Sequence, residues 1–209
     1  YSICCPVMLG GEKMVFDPDK SHGSIFHDAL AKRDYIDCFS FYASQSLGHN
    51  HPAMSEPAFE RQLLRAAKYK PANPDMYTND LAESIHVIKG ILPPAYRKLV
   101  FFISGGSAAI ENALKAAMDA KVQENLEAGR GEIGTDILHF ENAFHGRGGY
   151  TLSITNTDPK KVKHFAKFSW PRVPSPERIF PETAEQLSKT IQHEEQSITQ
   201  IKQIIAKNP

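Results

Sequence analysis

Apolar residues along the chain follow two periods, and the switch between them marks its central feature. Leu99-Val-Phe-Phe-Ile103 is a continuous apolar run. Such a run predicts a parallel strand covered on both faces. After Ser107 the spacing becomes helical: Ile110, Ala113, Leu114, Ala117, Met118 and Val122 recur at i, i+3 and i+4. Between the two, Gly105-Gly106 permits backbone angles that bulkier residues avoid, and lets another group come close to the main chain. A helix opening there points free N–H groups and its positive dipole end into the turn. An anion suits that place, phosphate above all. Similar turns also occur with nothing bound. This one is neither G-x-x-x-x-G-K-[ST] nor G-x-G-x-x-G, so a triphosphate loop and a dinucleotide site are unsupported.

The same patterning organises the rest. Residues 23–28 and 34–39 flank a short polar segment and predict a hairpin, with its tip at 29–33. A polar loop covers 44–52. A helix follows over 55–70, with Phe59, Leu63, Leu64 and Ala67 on one face. Pro71 and Pro74 break it in a turn over 70–75. A second helix spans 79–89, stopped by Gly90 and Pro93-Pro94. The helix after the glycine turn ends near Gly129-Arg-Gly131. Residues 136–140 form a second short buried strand. The loop behind it, 141–150, gathers Phe144, His145 and Arg147 among glycines. Open α/β sheets place their sites at such carboxyl ends of strands. The alternative is a surface turn in which Phe144 plugs the core and Arg147 is solvated. The final helix, 183–207, lines up Leu187, Ile191, Ile198, Ile201 and Ile205, and Thr183 with Gln186 forms a capping box. A β–α–β architecture would set another strand after it.

Composition narrows the function classes. At 41% hydrophobic and 23% charged, the 209 residues suit a globular protein. A formal net charge of zero offers nothing to nucleic acid or an anionic membrane. The lysines at 160, 161, 163 and 167, with Phe165, Phe168 and Trp170 among them, read as a solvated face. No apolar stretch reaches the roughly 20 residues of a membrane span. Three cysteines, Cys4, Cys5 and Cys38, without framework spacing, suggest reduced thiols and an intracellular home. His49-Asn-His51 lacks the further ligands that a structural zinc needs, so no metal is expected.

Several segments together resemble the class III, pyridoxal-phosphate-dependent aminotransferases, and most of all their lysine ε-aminotransferase branch. They are Phe101 to Ala117, Asn142 to Thr157, the Phe168-Ser-Trp-Pro-Arg172 run, and the earlier stretches 40–52 and 70–78. The Phe-His-Gly-Arg-Gly-Gly-Tyr-Thr-Leu run beginning at Phe144 is the most specific. The likeness runs from about Val15 to Arg172 and is weak in the final helix.

The resemblance implies an α/β chain of fold type I, aspartate aminotransferase-like. Residues 1–75 would be a β-rich N-terminal segment, part of the small domain with a linker helix. Residues 76–209 would be the first half of the large pyridoxal-phosphate-binding domain, an incomplete three-layer α/β/α unit. Gly106 and Ser107 would hold the cofactor phosphate, Phe144 would stack on the pyridine ring with His145 beside it, and Arg147 would receive the lysine α-carboxylate. Glu111 reads as structural. The implied reaction passes the ε-amino group of L-lysine to 2-oxoglutarate. It yields glutamate and the 6-semialdehyde, which cyclises to piperideine carboxylate. The family's Schiff-base lysine, aspartate and glutamine match no position here, so no catalytic residue is expected in this chain, and the 209 residues alone should be inactive. Family membership also implies a cytoplasmic homodimer. Two alternatives stay open: an aminotransferase for ornithine, acetylornithine or 4-aminobutyrate, or a non-catalytic phosphate-binding module.

Overall fold

A computed structural model describes residues 14–69, 75–98 and 100–207. The readings that fall on Cys4, Cys5, the 70–74 part of the proline turn and Leu99 lie outside the described residues. The chain divides into two compact units, Tyr1–Lys98 and Leu99–Pro209.

In the first unit, β1 (Ile25–Asp28) and β2 (Arg33–Ile36) form the predicted antiparallel hairpin, with Ile25 opposite Ile36 and Asp28 opposite Arg33. The chain reverses over 29–32, where Lys32 takes a φ of 53° and its N–H donates to the Asp28 carbonyl at 2.7 Å. The buried Asp28 carboxylate accepts the N–H groups of Val15 and Leu30, each at 2.9 Å. Those donors, Val15 first, hold its pKa below the ordinary value. Beyond β2, α1 (Ser40–Ala43) is a single turn whose four residues all take positive φ. Left-handed backbone of this kind costs about 1–2 kcal/mol per residue and persists only where its surroundings impose it. Here Asp37 accepts the N–H groups of Phe39 and Ser40, both at 2.8 Å, and Phe41 packs on Phe16 and His49. His49 also meets Asp37 at 2.8 Å, so its polar partner is a carboxylate.

Two helices complete this unit. α2 (Pro57–Ala67) starts at Pro57, whose missing N–H suits a first-turn position. α3 (Asn79–Ile91) is capped by Thr78, which accepts the Leu81 N–H at 3.1 Å. It runs through Gly90, one of the predicted stops, and ends ahead of Pro93. Arg65 of α2 pairs with Asp80 of α3 at 2.5 Å, so the two helices belong to one unit, although the sequence places a boundary at 75/76 between them.

In the second unit, α4 (Gly106–Glu127) begins at the glycine turn, and α6 (Ala184–Lys207) closes the described chain. Between them lie β3 (His139–Phe140), α5 (Gly149–Ser153) and β4 (Arg172–Val173). β3 and β4 pair in parallel, which an α/β architecture requires and local patterning did not reveal. The buried apolar residues Ile154, Val162 and Val173 gather here.

Three expectations need correction. Residues 100–103 form no strand, and Phe101 is 76% exposed. A strand exists through hydrogen bonds to a neighbour, and no described strand lies beside this run. The strand predicted over 136–140 contracts to His139–Phe140, the two positions that meet β4. Finally, the apolar face of α6 is not the face it buries. Thr190 and Ser197 are buried and donate to the carbonyls of Glu177 and Pro174, at 3.1 and 2.5 Å, while Ile191 and Ile198 stay about half exposed. The segment ahead of α6 needs its carbonyls satisfied, and those two hydroxyls do it.

Candidate functional site

The glycine turn is built for close approach. Gly105 takes a φ of +85°, in the region that favours glycine, and no side chain caps the start of α4. A Cβ added at Gly105 or Gly106 meets nothing within 4 Å. The glycine turn that opens the helix therefore borders open space, with the half-buried Ser107 hydroxyl one residue on. This donor set fits a phosphate: several N–H groups, one hydroxyl, the positive end of a 22-residue dipole, and no acidic residue in the first turn.

The second loop packs against this start. Gly146 is buried at a φ of +116°, and a Cβ there would lie 2.2 Å from the Ser107 Oγ. The loop is tied down from behind. Ala143 donates its N–H to Asn156 Oδ1 at 3.1 Å, and the Asn156 N–H returns a bond to the Ala143 carbonyl at 3.0 Å. Thr155 accepts the His145 N–H at 2.9 Å and donates to the Gly146 carbonyl at 2.6 Å. Glu111, one turn beyond Ser107, accepts the Tyr150 N–H at 3.1 Å, the Thr151 N–H at 2.8 Å and the Thr151 hydroxyl at 2.9 Å. Burial alone would raise the Glu111 pKa, but the Thr151 and Tyr150 donors outweigh it and hold the carboxyl below its ordinary range. The structural role expected of Glu111 is thus specific: a carboxylate clamps the start of α5 to α4.

The residues singled out from sequence fall as follows. Gly106 and Ser107 stand at the helix start, and the loop carrying Phe144, His145 and Arg147 reaches them through Gly146. Phe144 is 61% exposed, so it does not plug the core. His145 is half-buried and Arg147 exposed, with an Arg147 Nη2 donating to the Lys161 carbonyl at 3.3 Å. Nearby, the buried His139 accepts from Arg172 Nε at 3.1 Å. Burial first, then the positive charge of Arg172, lowers its pKa. Thr151, Thr155 and Asn156 went unnoticed in the sequence. Apart from the bond between Thr151 and the Gly148 N–H, no local pattern marks them, because these partners lie 9 to 44 residues away. Tyr150, Phe168 and Trp170 stack nearby, with the Phe168 and Trp170 rings 4.8 Å apart and 12° from parallel.

Comparison with known proteins decides the family. The class III aminotransferase model matches residues 8–208. The chain belongs to the class III aminotransferases. This family depends on pyridoxal phosphate, and the donor set at Ser107 fits that cofactor's phosphate. An L-lysine-epsilon aminotransferase of Streptomyces clavuligerus is 45% identical over 174 residues, covering 81% of this chain and 37% of its own length. One from Mycobacterium tuberculosis is 42% identical over 172 residues, covering 81% of this chain and 38% of its own. A solved lysine aminotransferase from M. tuberculosis superposes with a TM-score of 0.84 at 37% identity, over 97% of this class III chain and 46% of that one. The chain therefore spans less than half the length of these relatives. Its fold is fold type I, as in the solved aminotransferases, although only short strands are described. No described helix is long and apolar enough to cross a membrane, and the described residues hold no group of three or more potential metal ligands.

Proposed function

We propose that this chain carries the phosphate and substrate-carboxylate half of a lysine ε-aminotransferase site, passing the ε-amino group of L-lysine to 2-oxoglutarate. The observation that carries this reading is the contact of Gly146 with Ser107, which joins the anion-binding helix start to the Phe144–Arg147 loop. Similarity to lysine ε-aminotransferases of 42–45% identity supports lysine as the donor. When bound, pyridoxal phosphate supplies an electron sink for the carbanion formed on proton loss.

This chain's residues would do the binding and orienting. The N–H groups opening α4 and the Ser107 hydroxyl hold the phosphate. Phe144, exposed beside that start, offers a ring face for the pyridine, and His145 stands next to it. Arg147 offers a bidentate fork to a carboxylate. A carboxylate anchored there sets the distant ε-amine, rather than the α-amine, at the reacting carbon. No residue of this chain is assigned as catalytic base, because the covalent lysine implied by the family matches none of its positions, and the 209 residues alone are expected to show no turnover. The intact enzyme is proposed to be a cytoplasmic homodimer.

A panel of amines on the full-length enzyme tests the substrate. Lysine should rank first, and ornithine ranking above it overturns the assignment. In the same enzyme, Arg147→Ala should raise the KM for lysine while cofactor absorbance survives, and loss of the cofactor itself would remove Arg147 from its role. A second reading is another ω-aminotransferase. It draws on 4-aminobutyrate aminotransferases at 27–30% identity, a weaker likeness than that to the lysine enzymes.

A further inference from the structure

Phe144 stands exposed, yet the main chain on either side of it is held. Peptide groups are planar, so two torsions at Phe144, φ and ψ, set where its Cα–Cβ bond points relative to the planes before and after it. Both planes are hydrogen-bonded. The plane before carries the Ala143 carbonyl, which accepts the Asn156 N–H at 3.0 Å. The plane after carries the His145 N–H, which donates to Thr155 Oγ1 at 2.9 Å. Of these two bonds, the second is made by a side chain. The Thr155 hydroxyl suits it. A main-chain carbonyl only accepts, so the hydroxyl proton goes to Gly146 O at 2.6 Å. A main-chain N–H only donates, so His145 takes a lone pair of the same oxygen. The anchor is firm, because Thr155 is buried and follows the buried Ser153 and Ile154. Branching at Cβ restricts its χ1 as well.

We infer that Thr155 is the positioning residue that aims the Phe144 ring at the pyridine of the cofactor. It touches no cofactor in this scheme and acts through the peptide group between Phe144 and His145. An exposed ring on an untied loop would have to be ordered as the cofactor binds, and holding the loop beforehand avoids that cost. The inference rests on the proposed stacking role of Phe144.

The test is ligand affinity of the stripped full-length enzyme, titrated by absorbance with pyridoxal phosphate and, in parallel, with pyridoxal, which keeps the ring and lacks the phosphate. Thr155→Val removes the hydroxyl at nearly constant shape. It should weaken both ligands by the same factor, about fivefold, the order of one ring-stacking contact. Thr155→Ser restores the hydroxyl and should bring both affinities to within about twofold of the parent. Phe144→Ala should weaken both ligands at least as much as the valine variant, and adding Thr155→Val to it should cost nothing more. Should the valine variant not fold, Thr155→Ala carries the same comparison.

A lowered melting temperature with both affinities unchanged would make Thr155 merely structural and overturn the inference. So would a loss confined to pyridoxal phosphate, which would place its action at the phosphate through Gly146. A serine variant as weak as the valine one, or additive losses in the double variant, would overturn it too. If Phe144→Ala weakens both ligands and Thr155→Val does not, the positioning role fails and the stacking reading stands. If Phe144→Ala itself has no effect, the stacking reading fails and the positioning role falls with it.

Discussion

The second unit contains two long helices, α4 and α6, that begin in opposite ways. At α6, Thr183 and Gln186 cap each other: the Thr183 N–H donates to Gln186 Oε1 at 3.1 Å, and the Gln186 N–H donates to Thr183 Oγ1 at 3.3 Å. Two of its terminal donors, the Thr183 and Gln186 N–H groups, are taken by its own side chains. At α4 the turn is Gly105-Gly106, no side chain caps it, and space lies open in front. The dipoles are nearly equal, 22 residues against 24, so helix length does not distinguish the two. What distinguishes them is whether local side chains have already satisfied the donors. A helix start becomes a binding element by lacking a cap and by having a second element brought up to frame it. Here Gly146 and Ser107 do the framing.

The contrast can be broken most severely at Gly146. Gly146→Ala forces a Cβ into Ser107 at a φ of +116°. It should cost about 3 kcal/mol of stability by thermal unfolding and abolish cofactor binding, since neither backbone strain nor overlap can relax cheaply. Next comes Ser107→Ala in the full-length enzyme. It should weaken pyridoxal phosphate by about 2 kcal/mol, a charge-assisted hydrogen bond, with little change in melting temperature. The matching change at the other helix, Thr183→Ala, should invert that result: about 1 kcal/mol of stability lost by denaturant titration, and cofactor affinity untouched. If Thr183→Ala loosened the cofactor, the two starts would not differ as described.

The smallest effect is a pH dependence. Glu111 has a folded pKa below its ordinary 4.5. Its contribution is therefore fully present above pH 4.5 and is lost as pH falls from there through the folded value. Glu111→Gln should be less stable than the parent at neutral pH, and the gap should narrow as pH drops below about 4.5. A gap independent of pH would mean the carboxylate charge plays no part in clamping α5.

Much of this architecture was legible in advance because it is local. The helix opening at Gly105-Gly106, the capping box of α6, the Thr78-capped helix and the hairpin at 25–36 each depend on residues within a few positions of one another. Gly106 and Ser107 were legible for the same reason. Phe144, His145 and Arg147 were legible mainly through family resemblance, since their spacing alone also fitted a solvated turn.

What the amino-acid order determined by itself was periodicity, turn chemistry and end-capping, because these are set by neighbours along the chain. Tertiary structure alone decided three things. It shortened the strand at 136–140 to the two residues that find β4, because a strand is defined by its partner. It turned α6 so that Thr190 and Ser197, not the isoleucines, are buried, because distant carbonyls needed donors. It brought Gly146 and Thr151 onto Ser107, and Thr151 onto Glu111, a convergence across 39 to 44 residues of chain that no local pattern encodes. The open helix start is written in two glycines, but the loop that frames it is placed by contacts that only the folded chain makes.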